Sequence, residues 1–248
     1  MRPSVLITGA SSGIGAACAR ACAVAGYDVG IGYRSDRAGT EAVAADVEAA
    51  GAKAVLLQGD VAVPEEVDAI FAAFDAAFPR LHALVNNAGI VAEAARLDEM
   101  EPERLQRMFA TNVTGAFLVA RNAVRRMSTR HGGAGGAIVN ISSVAARIGS
   151  PGLFIDYAAS KGAIESLTTG LAQEVATEGI RVNAIRPGLI ETAIHGKGGM
   201  SDRLAKIGHT VPIGRPGTAE EVAEAVIWLL SDKASYVTGA GLDVSGGR

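Results

Sequence analysis

Apolar runs of strand length alternate with helix-length segments along the whole chain, and this alternation restricts the fold more than any other feature. The runs are SVLIT (4–8), DVGIGYR (28–34), KAVLLQGD (53–60), HALVNNAG (82–89), AIVNISS (137–143), IRVNAIRPG (180–188) and GAGLDVSGG (239–247). Helix-like segments fall between them, at 13–26, 38–51, 64–78, about 102–127, from 156 to near Gly179, and 219–232. Regular strand–helix–strand alternation with right-handed crossovers gives a doubly wound parallel sheet of seven strands, with helices on both faces. Aromatic residues are only 4% of the chain, so the core must be built from Ala, Val, Ile and Leu, as buried parallel strands require. With 248 residues and no linker or repeat, one α/β domain over 1–248 is expected.

Ligands on such sheets bind beyond the carboxyl ends of the strands. TGASSGIG (8–15) lies at the first such end. Gly9 permits a tight turn, Gly13 lets the backbone approach a phosphate, and Gly15 lets the helix pack close to the sheet. Ser11, Ser12 and Ile14 complete the turn at a helix N-terminus, whose free N–H groups and partial positive charge suit a pyrophosphate. The spacing is G-x-x-x-G-x-G, and its place at the first strand–helix junction marks a Rossmann-like dinucleotide site. The second run ends Tyr33-Arg34-Ser35, where an NAD-selecting chain carries an acid. The planar fork of Arg34 suits a 2′-phosphate, so NADP(H) is expected ahead of NAD. Asp60, followed by Val61, is placed either to accept from the adenine amino group or to serve the next helix start. Asn87, Ala88 and Gly89 end the fourth run with small residues that allow cofactor approach.

The fifth run ends in Ser142 and Ser143, on the same sheet edge. Tyr157 and Lys161 stand four apart at the start of a helix-like segment, so both point to one helical face. Three polar groups therefore converge beside the expected nicotinamide. Reduction of a carbonyl leaves an alkoxide that needs a proton. A phenol ionises near ~10, and bringing that to ~7 takes roughly 4 kcal/mol of preferential stabilisation of the phenolate. An exposed ion pair supplies about 0–1 kcal/mol. A partly desolvated Lys161, helped by the charge of an oxidised nicotinamide, supplies more. A serine hydroxyl can hold and polarise the carbonyl oxygen. Taken singly, Y-x-x-x-K and S-S are common in solvated helices and loops; their order along the chain gives them weight.

The motifs TGASSGIG, NNAG (86–89), NVTG (112–115), the serine of NISS (140–143), YAASK (157–161) and RPG (186–188) together resemble the short-chain dehydrogenase/reductase family over essentially the whole chain. The resemblance implies Tyr157 as the acid/base, with Lys161 lowering its pKa and holding the nicotinamide ribose. It implies Ser143 as the group that orients the carbonyl, and Asn112 as the anchor of a water that relays protons to the lysine. Pro187, Gly188, Ile190 and Thr192 would line the nicotinamide. Ser143 lies fourteen residues before Tyr157, one more than is usual in the family, so Ser142 stays open beside it, with the upstream NIS favouring Ser143. Relatives are usually tetramers joined through two long helices and the C-terminal segment, so a homotetramer is expected.

The implied substrate is a small carbonyl or alcohol compound. Three rival readings remain. A reductase of acyl-carrier-protein thioesters tends to carry a basic docking residue in the turn before the sixth strand, where this chain has Glu178. A sugar or polyol dehydrogenase is loosely resembled by SPGLFIDYAASKGA (150–163). A dinucleotide-binding regulator without turnover would be favoured by loss of Tyr157 or Lys161, and both are present.

Charge narrows the partners. Lys and Arg number 23 against 26 Asp and Glu, a net charge of −3, which is no footprint for nucleic acid. No strongly basic helix suits a membrane surface, and no apolar run spans a bilayer. MRPSVLITGA does not fit a signal peptide. Cys18 and Cys22 read as small buried side chains rather than a disulfide framework, which fits a cytoplasmic protein. His82, His131, His195 and His209 show no metal-ligand spacing, so no metal site is expected. The long loop 189–212 is a candidate lid, with Ile194 and Met200 as apolar lining and His195 and His209 within reach of a substrate. Trp228 is expected to pack in the core or at an interface.

Overall fold

The computed structural model describes residues 2–192 and 207–248. Its seven strands are β1 Ser4–Ile7, β2 Asp28–Tyr33, β3 Ala54–Gln58, β4 Ala83–Asn86, β5 Gly136–Ile141, β6 Ile180–Pro187 and β7 Gly241–Val244. All pair in parallel, in the order β3-β2-β1-β4-β5-β6-β7. The helices are α1 Gly13–Val24, α2 Arg37–Ala49, α3 Pro64–Ala77, α4 Pro102–Phe109, α5 Ala116–Met127, α6 Ala145–Ile148, α7 Ile155–Val175 and α8 Ala219–Leu230.

Successive side chains of a strand point to opposite faces, and the two cores follow that rule. Val5, Ile7, Ala83, Val85, Ala137 and Val139 pack with α1, α2 and α8. Leu6, Leu84 and Ile138 face the other way, toward α3, α5 and α7. The second layer holds Phe71, Phe74 and Phe78, with the rings of Phe74 and Phe78 4.8 Å apart. α8 starts with a reciprocal cap: Thr218 Oγ1 accepts from Glu221 N at 3.2 Å, and Glu221 Oε2 from Thr218 N at 2.8 Å. No described helix is long and apolar enough to cross a membrane.

Two expected strand bounds need correction, and one expected helix is irregular. The helix expected over about 102–127 runs through that whole span, with a wide π turn, Ala110–Gly115, between α4 and α5. Within it Asn112 is tied into the loop after β4, and Gly115 packs so close to Val61 that a Cβ would come 2.8 Å from its carbonyl. The fourth strand ends at Asn86 rather than 89, because the amides of Asn87 and Ala88 turn to the Thr8 hydroxyl. β7 is shorter than 239–247, since Gly239, Gly246 and Gly247 have φ of +74°, +63° and +92°, outside any strand. Trp228 is 40% exposed, which leaves an interface of the two places expected for it. Of the candidate lid, Ile194, His195 and Met200 lie outside the described residues, and His209 is exposed in a short 3₁₀ turn, Gly208–Thr210.

Candidate active site

The β order reverses between β1 and β4, and a cleft of about 510 Å³ opens there along the carboxyl ends of the strands. The glycine turn and the loop after β4 are joined into one wall. Thr8 Oγ1 accepts from the amides of Asn87 and Ala88, both at 3.0 Å, and Asn87 Nδ2 donates to the carbonyls of Thr8 and Gly9 at 2.9 and 3.0 Å. Gly9 has φ +64° and a Cβ there would come 2.9 Å from Ala88 Cα, so no other residue fits. Ser12 stands at the α1 N-cap without a side-chain cap bond. The first amides of α1 therefore remain available to an anion in the cleft. A turn of glycines and small side chains beneath an uncapped helix is the right cradle for a pyrophosphate.

At the adenosine end, Arg34 Nη1 lies 3.6 Å from Asp60 Oδ2, and the arginine side chain is 61% exposed. Asp60 Oδ1 accepts from Ala62 N at 2.9 Å, so one of its oxygens serves the local turn. Asp36, the other acid lining the cleft among the described residues, accepts from Gly39 N at 3.0 Å as the N-cap of α2.

At the opposite end, α7 presents Tyr157 and Lys161 on one face. The Lys161 ammonium is buried, donates to the Ile141 carbonyl at 2.7 Å, and lies 5.7 Å from the Tyr157 ring centre. Burial pulls its pKa down to about 8, against an opposing pull from Glu165. Burial also pushes the Tyr157 phenol up, opposed by a hydrogen bond with Ser143. Burial outweighs that hydrogen bond, so the phenol of the protein alone lies above its ordinary value. The same hydrogen bond separates the two serines: Ser143 faces Tyr157, whereas the Ser142 hydroxyl donates to the Lys161 carbonyl at 3.3 Å.

A family model described as enoyl-(acyl carrier protein) reductase matches residues 9–248. YgfF of Escherichia coli, an uncharacterized oxidoreductase, is 51% identical over 243 residues, 98% of each chain. 3β-Hydroxysteroid dehydrogenase 1 of Eggerthella lenta is 42% identical over 245 residues, 98% of this chain and 92% of that one. A short-chain type dehydrogenase/reductase from Mycobacterium marinum superimposes with a TM-score of 0.92 at 34% identity, covering 99% of this chain and 94% of the other. This chain belongs to the short-chain dehydrogenase/reductase family. The 3-ketoacyl-(acyl-carrier-protein) reductase of Brucella melitensis, solved with NADH, also matches, with a TM-score of 0.91, 35% identity and 99% and 98% coverage. The short-chain dehydrogenase/reductase described here is an oxidoreductase of the class that takes a nicotinamide dinucleotide.

The cleft of this family member gathers Gly9, Ser11, Ser12, Gly13, Ile14, Tyr33, Arg34, Ser35, Asp60, Val61, Asn87, Ala88 and Gly89 with Ser143, Tyr157, Lys161, Pro187, Gly188, Ile190 and Thr192. Two expected residues lie off its wall. Gly15 faces the Gly9 carbonyl and Asn87 Nδ2, where a Cβ would come 2.4 and 2.6 Å away; it serves the packing of α1. Asn112 is buried behind the wall. Its Oδ1 accepts from Ile90 N at 2.7 Å and its Nδ2 donates to Ile90 O at 2.9 Å and Ser160 Oγ at 3.1 Å.

Ile148, Phe154 and Leu189, from the segments 145–155 and 189–212 expected to set the substrate, help make the catalytic end apolar; sequence reasoning missed Ile90 and Val91 beside them, and Arg248. It also missed the bidentate pair of Arg104 with Asp156, at 2.8 and 3.1 Å, beside Tyr157. The charge at 156 was the only signal for that pair, and its partner lies 52 residues away.

Proposed function

We propose that this enzyme interconverts a carbonyl and an alcohol, prefers NADP(H) to NAD(H), and uses Tyr157 as its acid/base. The convergence of Ser143, Tyr157 and Lys161 at one end of a cleft whose other end is the glycine turn carries this reading. The dinucleotide, when bound, supplies or accepts the hydride. Ser143 orients the carbonyl oxygen, and Tyr157 delivers the proton that the new alkoxide needs. In the direction of oxidation Tyr157 must give up its own proton first. Its raised pKa then has to be offset by the positive charges of Lys161 and of an oxidised nicotinamide. Asn112 holds the Ile90 loop in place and anchors the water through which Lys161 exchanges protons.

NADP(H) preference rests on Arg34, whose guanidinium is exposed and only loosely paired, while the Asp36 carboxylate is committed to the α2 cap. We place the enzyme in the cytoplasm as a homotetramer. The half-exposed Phe117 on α5 and the exposed Trp228 and Tyr236 near β7 favour burial between copies.

The acyl-carrier-protein reductase reading draws support from the relatives. Against it, the turn before β6 carries Glu178, bonded by the Ser128 hydroxyl, where an acidic carrier would meet repulsion. Loss of NADPH oxidation in Tyr157→Phe across a panel of ketones, aldehydes, diketones and sugars, with NADPH still bound, is the expected result. Unchanged turnover would overturn the acid/base role.

A further inference from the structure

We propose that Arg104 is a positioning residue for the reaction: it holds the loop after β4 and the start of α7 at a fixed spacing, and so sets where Tyr157 stands against the wall that receives the substrate. This deepens the carbonyl–alcohol reading above and rests on it. α7 begins at Ile155, and Phe154 before it makes no side-chain cap bond. The first turn, which carries Tyr157, is anchored instead by a neighbouring element. Asp156 stands in that turn with its side chain fully buried, and its carboxylate is committed to α4. Arg104 Nε donates to Asp156 Oδ2 at 2.8 Å, and Nη2 donates to Oδ1 at 3.1 Å. The remaining arm, Nη1, donates to the Glu93 carbonyl in the loop after β4 at 2.6 Å.

Each segment that Arg104 grips carries part of the cleft. The loop after β4 contributes Ile90 and Val91, and the connection into α7 contributes Phe154 and then Tyr157. The two segments also meet directly, Ala95 N donating to the Leu153 carbonyl at 3.0 Å. Asn112, in the π turn after α4, makes a second bridge of the same kind. It holds Ile90 through both main-chain groups and donates to Ser160 Oγ, which in turn donates to the Tyr157 carbonyl at 2.7 Å. Tyr157 is thus gripped on both sides along α7, at Asp156 before it and Ser160 after it. Both grips lead back to the same loop.

Stability alone does not call for such a pair. A buried ion pair is often no more stabilising than packed apolar residues of the same volume, because both charges must leave water. What apolar residues lack is direction. Three donors of one planar guanidinium, aimed at two segments, fix an angle as well as a distance. Hydride and proton transfer depend on both, and an error of about 1 Å in the placement of a reacting group costs on the order of 10²-fold in rate.

The test labels the whole chain with 3-fluorotyrosine, which gives one fluorine resonance each for Tyr27, Tyr33, Tyr157 and Tyr236, with Tyr157→Phe identifying its own. The main variant is Arg104→Met combined with Asp156→Asn, which releases the Glu93 carbonyl without stranding a buried charge. Arg104→Lys keeps the charge and loses the fork, and it carries the test if the double variant does not fold. In the folded double variant the Tyr157 resonance should shift or split while the other three stay in place, with Arg104→Lys in between. For whichever carbonyl compound of the panel the wild type reduces, kcat should fall about tenfold or more, with dinucleotide affinity within about threefold. The isotope effect on kcat with reduced dinucleotide deuterated at C4 should then be fully expressed, because the chemical step has become the slow one. A mere loss of folded enzyme would lower kcat and move neither the resonance nor the isotope effect. A Tyr157 resonance that stays in place, a displacement of all four resonances alike, or an unchanged kcat would overturn the proposal. A displaced Tyr157 resonance, together with no turnover of any panel compound by the wild type, would support the positioning of Tyr157 and count against the carbonyl–alcohol reading.

Discussion

At the glycine turn the cleft is walled by main-chain amides and residues without bulk, whereas at the Tyr157 end it is walled by titratable side chains held out of water. The first end is ready for an anion because α1 begins without a side-chain cap and Gly9 and Gly13 leave the backbone bare. The second end works against its own solvation. The ammonium of Lys161 is buried with its pKa pulled down to about 8, and the phenol of Tyr157 is pushed up. Binding capacity is therefore stored in backbone geometry at one end, and reactivity in unfavourable burial at the other. Stability and catalysis should respond differently to substitutions at the two ends.

The sharpest contrast is expected from Tyr157→Phe, which should lower kcat by about 10³-fold or more, equivalent to roughly 4 kcal/mol. Dinucleotide affinity should stay within about threefold, as read by fluorescence titration. A large loss of affinity instead would mean that the two ends are not separable.

Next in size is Arg104→Met. It strands the Asp156 carboxylate, whose side chain is fully buried beside Tyr157. Breaking a buried pair from one side costs about 3–5 kcal/mol. Urea unfolding should show that loss, and adding Asp156→Asn should recover much of it. If the single variant unfolds like the wild type, the pair does not anchor the start of α7.

A third prediction concerns pH. Lys161 ionises at about 8 in the folded protein against an ordinary 10.5. Between those values the unfolded chain binds more protons, so stability rises with pH across that window, and the cost of burial is present in full below it. Compared with Lys161→Met, the wild type should therefore gain about 2 kcal/mol between pH 7 and pH 9.5 in paired urea melts. Tyr157 is common to both proteins, and its raised pKa removes stability only as pH climbs past the phenol's ordinary value near ~10. A gap that does not move with pH would contradict the buried, charged lysine.

The smallest effect is expected at the adenosine end. Arg34→Ala should weaken NADPH about tenfold, or roughly 1.4 kcal/mol, and leave NADH within about twofold. Equal losses for both would remove the basis for NADP(H) preference.

The two ends were also unequally legible. The glycine turn could be read directly, because TGASSGIG falls at the junction of the first apolar run with the first helix and its chemistry is local. Tyr157 and Lys161 could be paired because helical geometry fixes the directions of residues four apart. Ser142 and Ser143 could not be separated, since both lie past the end of β5. Only packing against α7 turned one hydroxyl to the Lys161 carbonyl and the other to Tyr157. Asn112 was expected within a helix, and the π turn that helix makes around it packs against Ile90 and Val61, which are distant in sequence. Arg104 and Arg248 carried no local signal at all.

What the sequence by itself determined is the set of features that depend on local backbone geometry. These are the strand and helix periodicities, the bare turn at the head of α1, and the common face of Tyr157 and Lys161. Tertiary structure alone decided which serine faces the phenol and where the helix between 102 and 127 widens into a π turn. It also decided the direction of the phenol's pKa. Desolvation depends on the atoms that surround a group from every side, and those atoms come from segments far apart along the chain.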